Sequence, residues 1–87
     1  MLTVYSKNYC PFCDKAKHLL KTKNIAYTEI NIDEDQKARE WLIAQGHRVA
    51  PQIYQDKELF VEGGYQGLAK LSDEELFNKL GDSSVSN

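Results

Sequence analysis

The stretch Leu2-Thr3-Val4-Tyr5-Ser6-Lys7-Asn8-Tyr9-Cys10-Pro11-Phe12-Cys13-Asp14-Lys15-Ala16 decides how this chain is read. Its opening, Leu2 to about Ser6, is β-branched, aromatic and apolar, the composition of a strand. From Pro11 to about Lys23 the period becomes helical. Phe12, Ala16, Leu19 and Leu20 fall at i, i+4, i+7 and i+8, while Asp14, Lys15, Lys17 and Lys21 take the wet side. Proline suits the first helical position because its missing N–H would have been unpaired there anyway. The two cysteines of the chain therefore stand at a strand-to-helix junction. Unpaired N–H groups and the helix dipole at that junction favour a thiolate on Cys10.

Outward from this stretch, Ala26 to Ile32 is the next predicted strand, alternating Ala26, Thr28, Ile30, Ile32 against Tyr27, Glu29, Asn31. Asp33, with Gln36 three positions on, resembles a capping box that opens a helix through about Gln45. Ala38, Trp41, Leu42 and Gln45 share its inner face, and Gly46 is its stop. Strand–helix–strand–helix implies parallel pairing with a right-handed crossover. The pattern then changes. Gln52-Ile53-Tyr54 and Glu58-Leu59-Phe60-Val61 read as an antiparallel hairpin about the turn Gln55-Asp56-Lys57. Gly63-Gly64 breaks the chain, and a short helical stretch from about Tyr65 to Lys70 follows. Ser72-Asp73-Glu74-Glu75 matches a second capping box, starting a helix to about Leu80 with Leu76, Phe77 and Leu80 facing in. Gly81 ends it. The predicted fold is α/β, in the order β-α-β-α-β-β-α, with a four-stranded mixed sheet and helices on both faces. Residues 1–81 form one domain, and 82–87, small and polar, are expected to be a frayed tail.

Composition narrows the function. At 87 residues, 41% hydrophobic and 28% charged, the chain has room for one ordinary globular core. A net charge of −2 argues against a general nucleic-acid binder, which needs a concentrated basic face. No apolar run approaches the roughly 18 residues of a membrane span. Met1-Leu2-Thr3-Val4-Tyr5 lacks the basic segment and apolar core of a secretory signal, so a reducing cytoplasm is expected. There, a close cysteine pair is redox-active or metal-binding more often than structural. Nothing in the pattern requires more than a monomer.

A structural zinc site needs four ligands, and His18 and His47 show no paired ligand spacing, so no metal is expected. Two inert buried cysteines are the other bland reading, but the cap position argues against burial of Cys10. Disulfide exchange fits the spacing. Cys10 as thiolate attacks a disulfide sulfur, and Cys13, one helical turn later, displaces the product and closes the Cys10–Cys13 bond. Lys7 adds to the field favouring the Cys10 thiolate, while Cys13 is expected beneath the first turn. Pro51 begins the third strand. Trans is its usual isomer, but a cis bond would turn the Ala50 backbone outward toward an extended peptide.

Tyr5-Ser6-Lys7, Tyr9-Cys10-Pro11-Phe12-Cys13, Pro51-Gln52-Ile53 and Gly63-Gly64-Tyr65 together resemble a dithiol glutaredoxin, from Leu2 to about Leu80. The resemblance implies the thioredoxin fold, with Pro51 cis and close to both sulfurs. It implies a glutathione-dependent thiol–disulfide oxidoreductase that reduces protein disulfides and glutathione mixed disulfides. Glutathione would be a co-substrate, with no tightly bound cofactor, and ribonucleotide reductase is a family-level candidate among the protein partners. Position by position, Cys10 is the implied nucleophile and Cys13 the resolving thiol. Lys7 would pair with the glycine carboxylate of glutathione, Tyr9 and Phe12 would flank the tripeptide, and the backbone of Ala50 beside Pro51 would pair with its cysteinyl unit. The backbone at Gly64, Tyr65 and Gln66 would hold the γ-glutamyl carboxylate. Two departures stand out. The chain has Val49-Ala50-Pro51 where the family often has Thr-Val-Pro. It has Gly67 where an acidic residue is common, one that helps hold the γ-glutamyl ammonium.

Two alternatives share the motif. One is a glutaredoxin-like electron donor reduced by thioredoxin reductase, whose usual tryptophan-containing segment near the Gly-Gly region is absent here. The other is a glutathione-ligated iron–sulfur cluster carrier, whose members usually carry a smaller residue where this chain has Pro11.

Overall fold

A computed structural model describes residues 1–81; the segment 82–87, expected to fray, lies outside the described residues. The elements run β1 (Leu2–Ser6), α1 (Pro11–Thr22), β2 (Tyr27–Asn31), α2 (Gln36–Ala44), β3 (Gln52–Gln55), β4 (Glu58–Leu59), α3 (Gly64–Ala69) and α4 (Asp73–Lys79). They form a four-stranded sheet in the order β2-β1-β3-β4. Strand β1 pairs parallel with β2 and antiparallel with β3, and β3 pairs antiparallel with β4. The sheet is mixed, as the pattern predicts.

Alternation along β1 sorts the two layers. Leu2, Val4 and Ser6 point to one face and are fully covered. There they meet Ala16 and Leu20 of α1, Leu68 of α3, Leu76 of α4, and Ile53, Phe60 and Val61. Burying each large aliphatic side chain contributes about 1.5–3 kcal/mol. On the opposite face Tyr5 stacks on Trp41 of α2 at 5.6 Å, and Trp41 meets Tyr54 edge-on at 5.1 Å. Helices therefore cover both faces.

Several local expectations shift. Phe12 and Phe77, expected to face inward, are 46% and 41% exposed. The covered stripe of α1 is Cys13, Ala16 and Leu20, one position round from Phe12, and on α4 the adjacent Leu76 takes the core position. Helix α2 is capped by Asp35, whose carboxylate accepts the Ala38 N–H at 3.0 Å, and not by Asp33. The Asp33 carboxylate instead accepts the Asn8 N–H at 2.8 Å. Gln45, expected on the inner face, lies at the C-cap and is exposed. Strand β2 lies at the sheet edge and shows no clean alternation, for Tyr27 and Ile30 are both half-buried. The hairpin pairs Gln55 with Glu58, leaving a two-residue turn in which Asp56 takes a φ of 57°. The second capping box forms as read: Ser72 Oγ accepts the Glu75 N–H at 3.1 Å, and Glu75 Oε1 accepts the Ser72 N–H at 2.9 Å.

Candidate active site

Cys10 has extended backbone angles and is the N-cap of α1, with Pro11 in the first turn. Its Sγ accepts the Cys13 N–H at 3.2 Å, and its carbonyl accepts the N–H groups of Cys13 and Asp14 at 3.1 and 3.2 Å. A thiolate on Cys10 would inherit that amide, a charge-assisted bond at the positive end of the helix. Cys10 and Cys13 are disulfide-bonded, with their Cα atoms 5.2 Å apart.

The cap position does not keep Cys10 open, contrary to the reading above. It is 8% exposed and Cys13 is 1% exposed. Cover comes from the bond to Cys13 and from the 49–51 loop, whose Ala50 carbonyl oxygen lies 3.8 Å from Cys10 Sγ. The asymmetry survives: the residual opening belongs to Cys10. The Ala50–Pro51 peptide is cis. Buried Gln52 ties the loop down by donating its side-chain N–H to the Val49 carbonyl at 2.9 Å.

Opposite this loop, Gly63 and Gly64 adopt left-handed φ values of 88° and 59° where α3 begins. Such backbone is ordinary for glycine and strained for other residues. A groove of about 420 Å³ runs between the two loops, walled by Phe12, Ala50, Pro51, Gly64, Tyr65 and Gln66 among others. Phe12 is fixed at its edge although exposed, since its ring stacks on Tyr65 at 6.1 Å and Lys15 Nζ sits 5.2 Å from its centroid. Lys7 and Tyr9 do not line the groove. Both are exposed, Tyr9 fully, on the loop before Cys10 with Tyr9 at φ 55°.

Three polar wall residues escaped the sequence reading of the site. Gln52 is a polar position in an otherwise covered strand, a signal that it holds something. His47, considered above only as a zinc ligand, also lines the groove, and its Nε2 lies 2.7 Å from Tyr54 Oη. Burial, with a smaller contribution from Tyr5, pushes the Tyr54 phenol up. Glu62 is the third. Beneath β1, the covered Ser6 hydroxyl donates to Glu29 Oε2 at 2.7 Å, and Lys17 Nζ donates to the same oxygen at 2.8 Å. These bonds, Lys17's first, hold the Glu29 carboxyl below its ordinary range, and the same contact raises Lys17. Among the described residues no group of three or more His, Cys, Asp or Glu is placed to hold a metal, and no helix is long and apolar enough to cross a membrane.

The glutaredoxin family model matches residues 2–60, more than half of the chain. The chain belongs to the glutaredoxin family. The glutaredoxin-like protein NrdH of Lactococcus lactis subsp. cremoris (strain MG1363) is 44% identical over 72 residues, 83% of this chain and all of that one. The structure of a buckwheat glutaredoxin–glutathione complex aligns with a TM-score of 0.73 at 26% identity, covering 95% of this chain and 78% of that one. The Escherichia coli NrdH-redoxin, a glutaredoxin-like protein described as having a thioredoxin-like activity profile, aligns at 0.61 with 31% identity, over 62% of this chain and 71% of that one. The architecture is the thioredoxin-like fold that glutaredoxins share. In this glutaredoxin-family dithiol the paired cysteines open the helix that follows the central strand.

Proposed function

We propose that this chain is a glutathione-dependent thiol–disulfide oxidoreductase acting on protein disulfides and glutathione mixed disulfides. The observation that carries the reading is the groove of about 420 Å³ whose wall residue Ala50 stands beside the Cys10 sulfur. Small-molecule sites span roughly 300–1,000 Å³, and a tripeptide falls within that range.

In the proposed cycle the Cys10 thiolate attacks one sulfur of a substrate disulfide. One substrate sulfur leaves as a thiolate and takes a proton from solvent. The other is held in a mixed disulfide with Cys10. Cys13 then loses its proton and attacks Cys10 Sγ, the mixed disulfide breaks, and the second substrate thiol departs. Two electrons pass from the dithiol to the substrate, and the Cys10–Cys13 disulfide remains. Two glutathione molecules return the electrons in sequence and leave as glutathione disulfide. The Cys13 N–H and the helix start stabilise each thiolate that forms on Cys10.

Within the groove, the Ala50 backbone beside Pro51 is assigned to the cysteinyl unit of glutathione, and Phe12 flanks the tripeptide. The free amides of Gly64, Tyr65 and Gln66 at the start of α3 take the γ-glutamyl carboxylate. Lys7 and Tyr9, exposed on the neighbouring loop, are assigned to the glycine end. The proposed setting is the cytoplasm, and a disulfide of ribonucleotide reductase is the candidate protein partner. Turnover with glutathione, glutathione reductase and a small mixed disulfide tests the reading.

A second reading, an electron donor reduced by thioredoxin reductase, is favoured by the 44% identity across the whole of the Lactococcus NrdH. It gains from Gly67, which removes a side-chain carboxylate from the γ-glutamyl end. Efficient reduction by thioredoxin reductase without glutathione would select it.

A further inference from the structure

The segment between α2 and β3 has no helix or strand of its own, yet it supplies Ala50 and Pro51 to the groove. Two side chains of β3 hold it. Successive strand residues alternate between faces, so Gln52 and Tyr54 project to the same side of the sheet. Gln52 donates to the Val49 carbonyl at 2.9 Å, and Tyr54 Oη lies 2.7 Å from His47 Nε2. The His47 ring also meets the Tyr54 ring edge-on, at 5.7 Å. Tyr54 is a firm anchor: it is 3% exposed and packs edge-on against Tyr5 at 5.7 Å and Trp41 at 5.1 Å. The His47 N–H donates to the Leu42 carbonyl at 3.2 Å, so its main chain is tied to α2 and its side chain to β3. Three positions on, the Ala50 carbonyl oxygen stands 3.8 Å from Cys10 Sγ.

We infer that His47 is a positioning residue. Its bond to Tyr54 holds the segment 47–51 where the Ala50 backbone pairs with an extended, disulfide-bearing peptide. The inference rests on the proposed pairing at Ala50 and is indifferent to whether the peptide is glutathione. In this role His47 touches no reacting atom. One hydrogen bond between neutral groups is at stake, so its loss weakens the hold on a peptide about two- to ten-fold. A disulfide too small to extend along the Ala50 backbone is insensitive to it.

The test uses the full chain, reduced with dithiothreitol and desalted. Single-turnover rates at subsaturating substrate are compared for two disulfides of 2-mercaptoethanol. One is its symmetric disulfide; the other is its mixed disulfide with the central cysteine of a short, capped peptide. Each rate is divided by that of free dithiothreitol on the same compound, and the peptide-to-small-disulfide ratio is read. Wild type is expected to favour the peptide. His47→Phe keeps a ring against Tyr54 without the bond and is expected to lower the ratio about two- to ten-fold. Tyr54→Phe is expected to lower it equally, and the double variant to match either single, because the same bond is lost in each. His47→Gln, whose amide still offers a donor and an acceptor, is expected to restore part of the ratio. Thermal midpoints show that each variant is folded. A wild-type ratio that survives in both Phe variants, or losses that add in the double variant, overturns the inference and leaves the pairing at Ala50 in place. A wild type with no preference for the peptide overturns both.

Discussion

Gly64 sits against Pro51 so closely that a Cβ at position 64 would lie 2.5 Å from the Pro51 carbonyl oxygen. The start of α3 is thereby joined, backbone to backbone, to the strand that begins beside the cysteine pair. Gly64→Ala must move one of these two walls and hold alanine at a φ of 59°. The expected cost is about 1–3 kcal/mol of stability, seen as a lower thermal midpoint. KM for the glutathione mixed disulfide should rise more than kcat falls, because the groove wall shifts while the dithiol stays in place. A variant with wild-type midpoint and KM would contradict the contact.

Position 67 gives a sharper expectation. The family resemblance leads to an acidic residue there, yet in this chain any Cβ would collide with the Glu62 carbonyl. Gly67→Asp is therefore expected to lower stability by about 1–3 kcal/mol and not to lower KM for glutathione mixed disulfides. A stable variant with improved KM would show that the loop yields and that the glycine is a missing contact.

Much of this was readable locally. Strand β1, the proline-led start of α1 and the Ser72–Glu75 capping box depend on neighbours within a turn, and they formed as patterned. What failed depends on distant partners. Asp33 carries every local mark of a helix cap, but the Asn8 amide, 25 residues away, takes its carboxylate, and Asp35 caps α2 instead. Phe12 and Phe77 are large and apolar, yet each lies one position off the covered stripe of its helix, where Cys13 and Leu76 stand. Part of the cover over Cys10 comes from the 49–51 loop, which no periodicity near residue 10 could reveal. Glu62 follows the buried Phe60-Val61 pair and precedes two glycines, and nothing local marks it as a groove residue.

Acid should weaken the Ser6–Glu29–Lys17 contact. The Glu29 carboxyl is held below its ordinary 4.5, chiefly by the Lys17 hydrogen bond and then by Ser6. A depressed carboxyl contributes stability that is present above its unfolded value and lost as pH falls through its folded value. The contribution is whole at pH 7 and fades below about 4.5. Lys17 is raised from 10.5, so its share is present below 10.5 and lost as pH climbs through the folded value. Glu29→Gln removes the charge but keeps an oxygen for Ser6, at an expected cost of about 1 kcal/mol or less at pH 7. Urea midpoints should show the gap to wild type narrowing toward pH 3; a constant gap would mean the ion pair contributes nothing.

The unequal cover of the two sulfurs separates their roles. Cys13→Ser should keep most activity on glutathione mixed disulfides, which need one thiol, and lose the resolving step for protein disulfides. Cys10→Ser should abolish both, with a loss of at least about 100-fold, since the buried Cys13 cannot take its place. Equal activity of the two variants on the mixed disulfide would reverse the assignment.

The central claim is that glutathione supplies the electrons. The most direct measurement sets two donors against each other in one assay: glutathione with glutathione reductase, and thioredoxin reductase alone, each driving reduction of the same protein disulfide by this chain. The account predicts rapid turnover with the first and little with the second. Rapid turnover with thioredoxin reductase and none with glutathione would contradict it.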